Sequence, residues 1–206
     1  MDLISFTAPI LSAVIFIMEV LLMRNSKTKI LVESAILIAL STVLSLIKIW
    51  QMPLGGSLTL LSMLPICYIS IRHGLKWGIG AAFVYSCIQL SMDIAAAMGW
   101  GLNAARWAGM IAFDYIIPFT ALGVAGIFAK KGIKGIIAGT TLALVLRFLS
   151  HVISGSIIFD IWMPEGWANP FIYSIAYNGT FMLPELILTL IGAAIVFKAL
   201  KDRNMM

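Results

Sequence analysis

Seven long apolar runs, separated by short segments in which basic residues cluster, constrain this chain more than any single motif. The runs cover 4–23, 30–49, 58–71, 77–98, 104–129, 135–159 and 171–198. A helix rises about 1.5 Å per residue and a bilayer core is about 30 Å thick, so all but one of these runs can cross a membrane. The run at 58–71 is short for a span and is expected to tilt little or to begin in the preceding loop. No strand-like alternation is present, which argues against a β-barrel. Composition agrees: the chain is 61% hydrophobic and only 11% charged, whereas soluble domains are roughly half apolar and about a quarter charged. The expected fold is an all-α integral membrane protein.

The charge pattern orients the runs. Arg24, Lys27, Lys29, Arg72, Lys76, Lys130, Lys131, Lys134, Lys198, Lys201 and Arg203 make up 11 of the 14 basic residues and fall on alternate connections. That is the positive-inside pattern, with the N-terminus outside and the C-terminus inside, and not a nucleic-acid-binding face. The first run is not read as a signal peptide, because its basic flank follows it. Glu19 near its inner end is placed to snorkel or to pair with that flank. The outer connections are then 50–57, 99–103 and 160–170. Trp50, Trp100, Trp107, Trp162 and Trp167 lie in or beside them, as an interfacial belt or as an aromatic lid over a pocket.

Charged residues inside spans are costly and tend to mark a ligand path. Asp93, Asp114, Arg147 and Glu185 are of this kind. Counting from the outer helix ends, Asp114, Arg147, His151 and Asn178 fall roughly 10–18 Å below the outer surface, in one layer. Arg147 and His151, four residues apart, share a helix face that Ser154 and Gly155 extend. Two readings follow. Asp114 and Arg147 form an ion pair that ties helices together, or they line a pocket with Tyr115, His151, Tyr173 and Asn178. The pocket reading favours a small, polar, aromatic and cationic ligand: a carboxylate suits an amino group, aromatic faces suit a flat or cationic ring, and Asn and His suit a heteroaromatic edge. Glu185 follows Pro184 and is placed to donate, when protonated, to the backbone carbonyl that proline frees. Asp93, nearer the outer end of its run, reads as a hydrated residue. Lys48 and Arg106 read as snorkelling side chains.

Other chemistries lack support. There is no P-loop, no HExxH, no GxSxG elbow and no CxxC, and Cys67 and Cys87 read as packed thiols. No cofactor is called for. An ion- or proton-coupled carrier using Asp114, Arg147 and Glu185 as a relay remains a competing class, although no inverted repeat supports it. A membrane enzyme or a structural protein without a ligand is the other.

Several stretches taken together resemble the thiamine-specific substrate-binding (S) components of energy-coupling factor transporters. They are LVESAILIAL with its AxxxA pair, MPLGGSLTLLSMLPI, IRHGLKWG, DYIIPFTALGVAGIF, RFLSHVISG, and the later GW and YSIAYNG. The resemblance covers about residues 29–198. It implies a six-helix core within 29–206, an extra N-terminal transmembrane segment with its basic flank in 1–28, and a place in the bacterial plasma membrane. It implies thiamine as ligand, and a transmembrane coupling protein and two ATP-binding cassette ATPases as partners. It places ligand contacts on Asp114, Tyr115, Arg147, His151, Gly155, Phe159, Trp167, Tyr173 and Asn178, a lid on 50–57, and coupling-protein docking on Ala35 and Ala39. A stacking Trp of that family falls on Phe159 here, so Trp162 or Trp167 is the expected substitute. Its basic residue and neighbour fall on Arg147 and Phe148, and its acid is Asp114.

Overall fold

A computed structural model describes residues 27–52 and 55–202. The expected span 4–23 with Glu19 and Arg24 lies outside the described residues, as do Pro53 and Leu54 of the expected lid, and Arg203. The chain divides into two compact units, Met1–Ile36 and Leu37–Met206. Everything described below as packing belongs to the second.

The helices are α1 (Lys27–Leu46), α2 (Leu64–His73), α3 (Leu75–Ala97), α4 (Ala104–Val124), α5 (Gly132–Ile157) and α6 (Pro170–Asp202). Five of these are long and apolar enough to cross a membrane. Sequence periodicity shows how they sit. On α6, Leu183, Ile187, Ile191 and Ile195 are exposed at four-residue spacing, while Met182, Glu185, Thr189, Ala193 and Phe197 are buried. The outward stripe is what lipid requires, and the inward stripe carries the polar side chains. On α1, Ile38 and Ser41 are buried while Ala39, Leu40 and Val43 are exposed.

The run 58–71 is not a single spanning helix. Its first residues form strand β2 (Ser57–Thr59), which pairs antiparallel with β1 (Lys48–Gln51), and only then does the ten-residue α2 begin, with Pro65 in its first turn. Ten residues reach about 15 Å, half a bilayer core. The cause is a polar cluster within the apolar run. Thr59 and Ser62 share a hydrogen bond of 2.7 Å, and Thr59 bonds Glu185 of α6 through both its N–H (2.7 Å) and its hydroxyl (3.0 Å). Among the described residues the regular secondary structure is helical except for this hairpin, which occupies the place of the expected 50–57 loop. Glu185 is 2% exposed. It serves the hairpin, not the carbonyl freed by Pro184.

The run 104–129 is one helix with an irregular centre. Asn103 caps it by accepting from the Arg106 N–H at 3.0 Å. Residues Ala104–Met110 are α-helical, Ile111–Ile116 are π-helical, Ile117–Thr120 return to α and Ala121–Val124 tighten to 3-10 geometry. Pro118 explains the bulge. It has no N–H for the carbonyl four residues earlier, that of Asp114, so the ladder shifts and the Ile117 N–H reaches Ala112 O instead. The polar residue of greatest interest thus sits where the helix is locally unwound.

The core between α2, α3, α4 and α5 is built on Ile66, Cys67, Ile69, Ala82, Tyr85, Leu122, Ala125 and Ala143. Cys67 is a buried free thiol, and Cys87 is also free. Gly74, at φ +87, lets the chain reverse between α2 and α3. Ser70 then ties α2 to the end of α4, donating to Gly123 O at 2.5 Å and accepting from the Gly126 N–H at 2.9 Å.

Candidate ligand-binding site

A cavity of about 430 Å³ opens between α3, α4, α5, α6 and the hairpin, within the range of small-molecule sites. Asp114, Tyr115, Arg147, His151, Gly155, Phe159, Tyr173 and Asn178 all line it. These side chains come from the π-helical part of α4, from one face of α5 and just past its end, and from the first three turns of α6. Antiparallel α5 and α6, the most extensively packed pair, bring their polar faces to one level.

One wall is joined side chain to side chain. Asp114 Oδ2 accepts from the Ser154 hydroxyl at 2.5 Å, and Asp114 Oδ1 lies 3.1 Å from His151 Nδ1. Arg147 Nε donates to His151 Nε2 at 3.4 Å. Arginine has no acceptor, so Nε2 presents its lone pair and Nδ1–H points at Asp114, the arrangement of a neutral imidazole. Behind His151, Asn178 donates to Ser174 O at 2.9 Å and to His151 O at 3.4 Å, and Ser174 donates to Val152 O at 3.0 Å. Asp114 and Arg147 form no pair with each other. The guanidinium lies 4.5 Å from the centroid of the Phe119 ring and donates to Met63 Sδ. The ion-pair reading of these two residues gives way to a wall in which Asp114 faces the cavity with acceptor capacity remaining.

Gly155 is required by this packing. A Cβ there would collide with the Ser174 hydroxyl, which holds Asn178.

The other walls are aromatic. Phe159 meets Trp100 edge-on at 5.6 Å, and Trp162 lies 5.7 Å from Phe159. Tyr173, Tyr177 and Phe181 follow along α6 at ring separations of 5.9 and 6.0 Å. Trp167 does not line the cavity. It is 40% exposed and packs edge-on against Tyr173 at 5.2 Å. The tryptophan that reaches the lining is Trp100, from the 99–103 connection. The hairpin covers one side through Lys48, Gln51, Gly55, Gly56, Ser57 and Thr59, and the Gly56 N–H donates to the Tyr177 hydroxyl at 3.3 Å.

Other residues sharpen the picture. Asp93 is exposed, as a hydrated residue would be, and it also lines the cavity and accepts from the Tyr115 hydroxyl at 3.2 Å. Gln89, also in the lining, donates to Tyr85 at 2.5 Å. Spaced four apart on α3, Gln89 and Asp93 are a stripe that helical spacing could have revealed. Arg106 does not snorkel. It pairs with Asp160 at 2.6 Å and bonds Ile158 O, clamping the start of α4 to the end of α5. Among the described residues, no group of three or more His, Cys, Asp or Glu is placed to hold a metal ion.

The fold and the cavity define a multi-span membrane protein with an internal cavity lined by polar and aromatic side chains. The chain belongs to the thiamine transporter protein (Thia_YuaJ) family, which matches residues 31–204. It is 30% identical over 190 residues to the thiamine transporter ThiT of Bacillus subtilis (strain 168), covering 85% of this chain and 94% of that protein. Its fold matches a solved structure of ThiT from Listeria monocytogenes with a TM-score of 0.68 at 22% identity, over 86% of this chain and 98% of that one. The chain is accordingly a thiamine-specific S-component of the energy-coupling factor type, a transport protein and not an enzyme.

Proposed function

We propose that the cavity is where this S-component captures thiamine on the outer side of a bacterial plasma membrane. Thiamine joins an aminopyrimidine to a positively charged thiazolium ring. The observation that carries the assignment is Asp114: a carboxylate oriented by His151 and Ser154, facing a cavity lined largely by aromatic and polar side chains. It accepts from the amino group. Arg147, His151, Tyr173 and Asn178 orient the ligand, Tyr115 and Gly155 shape the floor, and Phe159, with Trp100 beside it, offers a ring face. Trp167 contributes through Tyr173.

The wider arrangement follows from the sequence. The basic connections at Arg72–Lys76, Lys130–Lys134 and Lys198–Lys201 support a cytoplasmic C-terminus and an N-terminus outside. Residues 29–206 form the six-helix module, with 1–28 as an added segment. Uptake needs a transmembrane coupling protein and two ATPases, since this chain has no nucleotide-binding motif. Ala35 and Ala39, one turn apart and both exposed on α1, are a small-residue face suited to helix docking.

Equilibrium binding of thiamine to the purified chain tests the first part. Saturable binding is expected, and its absence would remove the assignment. Replacing Ala35 and Ala39 together with Leu is expected to leave that binding intact and to abolish ATP-driven uptake in proteoliposomes containing the partner proteins. Unchanged uptake would rule out the docking role.

A further inference from the structure

The cavity holds two carboxylates in different settings. Asp114 receives bonds on both oxygens, from His151 and Ser154. Asp93 receives one, on Oδ2, from the Tyr115 hydroxyl. The two basic side chains of the lining are Arg147, committed to Phe119, Met63 and His151, and Lys48, exposed on β1. Among the described residues, neither pairs with Asp93. Asp93 is therefore an exposed carboxylate of the lining without a basic partner there, held by a tyrosine that directly follows Asp114 in the chain.

Resting on the thiamine assignment, we propose that Asp93 is a specificity-determining residue that recognises the permanent positive charge of the ligand's five-membered ring. The quaternary nitrogen of a thiazolium carries no N–H, so no hydrogen bond can read it. Only the field of a nearby charge and the faces of aromatic rings can. Asp114 reads the donors at one end of the ligand, and Asp93 reads the charge at the other. That second interaction separates a charged ring from a neutral one of the same shape.

The test compares binding of thiamine with that of an analogue in which carbon replaces the quaternary nitrogen, leaving the ring uncharged. Wild-type protein is expected to prefer thiamine by about tenfold or more, equivalent to ~1.4 kcal/mol. Asp93→Asn is expected to weaken thiamine about tenfold while leaving the neutral analogue within roughly twofold. Tyr115→Phe, which keeps the charge and removes only its tether, is expected to retain most of the preference. The proposal is overturned if wild type shows no preference, if Asp93→Asn weakens both ligands equally, or if it weakens neither. Should Asp93→Asn fail to fold, Asp93→Ser is read in the same way. A wild-type chain that binds neither ligand would instead remove the thiamine assignment beneath the proposal.

Discussion

The wall of the cavity formed by α4, α5 and α6 is joined by a chain of side-chain contacts, whereas the wall formed by the β1–β2 hairpin is fastened mainly at its edge. In the first, Ser154, Asp114, His151 and Arg147 follow one another at hydrogen-bond distance, with Asn178 and Ser174 behind. In the second, the hairpin meets α6 through Glu185 on Thr59 and Tyr177 on Gly56. The joined wall is preorganised, so its atoms are in place before a ligand arrives, and its loss appears in equilibrium affinity. The hairpin wall rests mainly on α6, through those bonds and the packing of Leu58 on Phe181 and Met182, so its loosening is expected to appear chiefly as faster dissociation.

The largest expected effect tests the first half of that contrast. Asp114→Asn and His151→Ala are each expected to weaken thiamine binding by about 1–3 kcal/mol, because each removes a buried partner on which others depend. The double variant is expected to lose less than the sum, since the two side chains form one unit. Titration calorimetry on the three variants measures this. Full additivity would mean that the two residues act independently and that the wall is not a unit.

This contrast also marks what could be read without coordinates. That Asp114, Arg147, His151 and Asn178 share one cavity was legible because a polar residue inside an apolar run has few uses, and because helical rise places all four in one layer. The local unwinding at Asp114 was legible in principle from Pro118, four residues on. The hairpin was not. Residues 58–71 read as one apolar run, and the bonds that fold its beginning into a strand reach Glu185, 126 positions away. Sequence spacing carries no information about such a partner. Aromatic residues in connections suffer the same limit. Trp100 and Trp167 look alike in sequence, yet only Trp100 packs against Phe159 in the lining. Asp93 is exposed, as its depth suggested, but its place in the cavity lining depends on the Tyr115 hydroxyl, which spacing within one run does not reveal.

An intermediate effect is expected at the buried latch. Glu185→Ala leaves the Thr59 N–H and hydroxyl without their acceptor, at a cost of about 1–3 kcal/mol in thermal stability, of which part appears as weaker binding. Glu185→Gln keeps an acceptor oxygen for the Thr59 N–H, and the hydroxyl can turn to face the amide, so most of the loss is expected to be recovered. Thermal unfolding of both variants in detergent reads the difference. Equal destabilisation by Ala and Gln would mean that the carboxylate's charge, and not its hydrogen bonds to the hairpin, holds this region.

The smallest effect separates the two walls most cleanly. Tyr177→Phe removes the hydroxyl that accepts from the Gly56 N–H and leaves the ring in the aromatic row between Tyr173 and Phe181. The hairpin is expected to lose about 0.5–1 kcal/mol of its hold on α6. Because the joined wall is untouched, the association rate should stay within roughly twofold, and the change in Kd, about two- to fivefold, should reside in the dissociation rate. Stopped-flow association and chase experiments with thiamine resolve the two rates. A variant that slows association with no change in release would place Tyr177 among the groups that read the ligand, and would move α6's aromatic row from the covering wall to the recognising one.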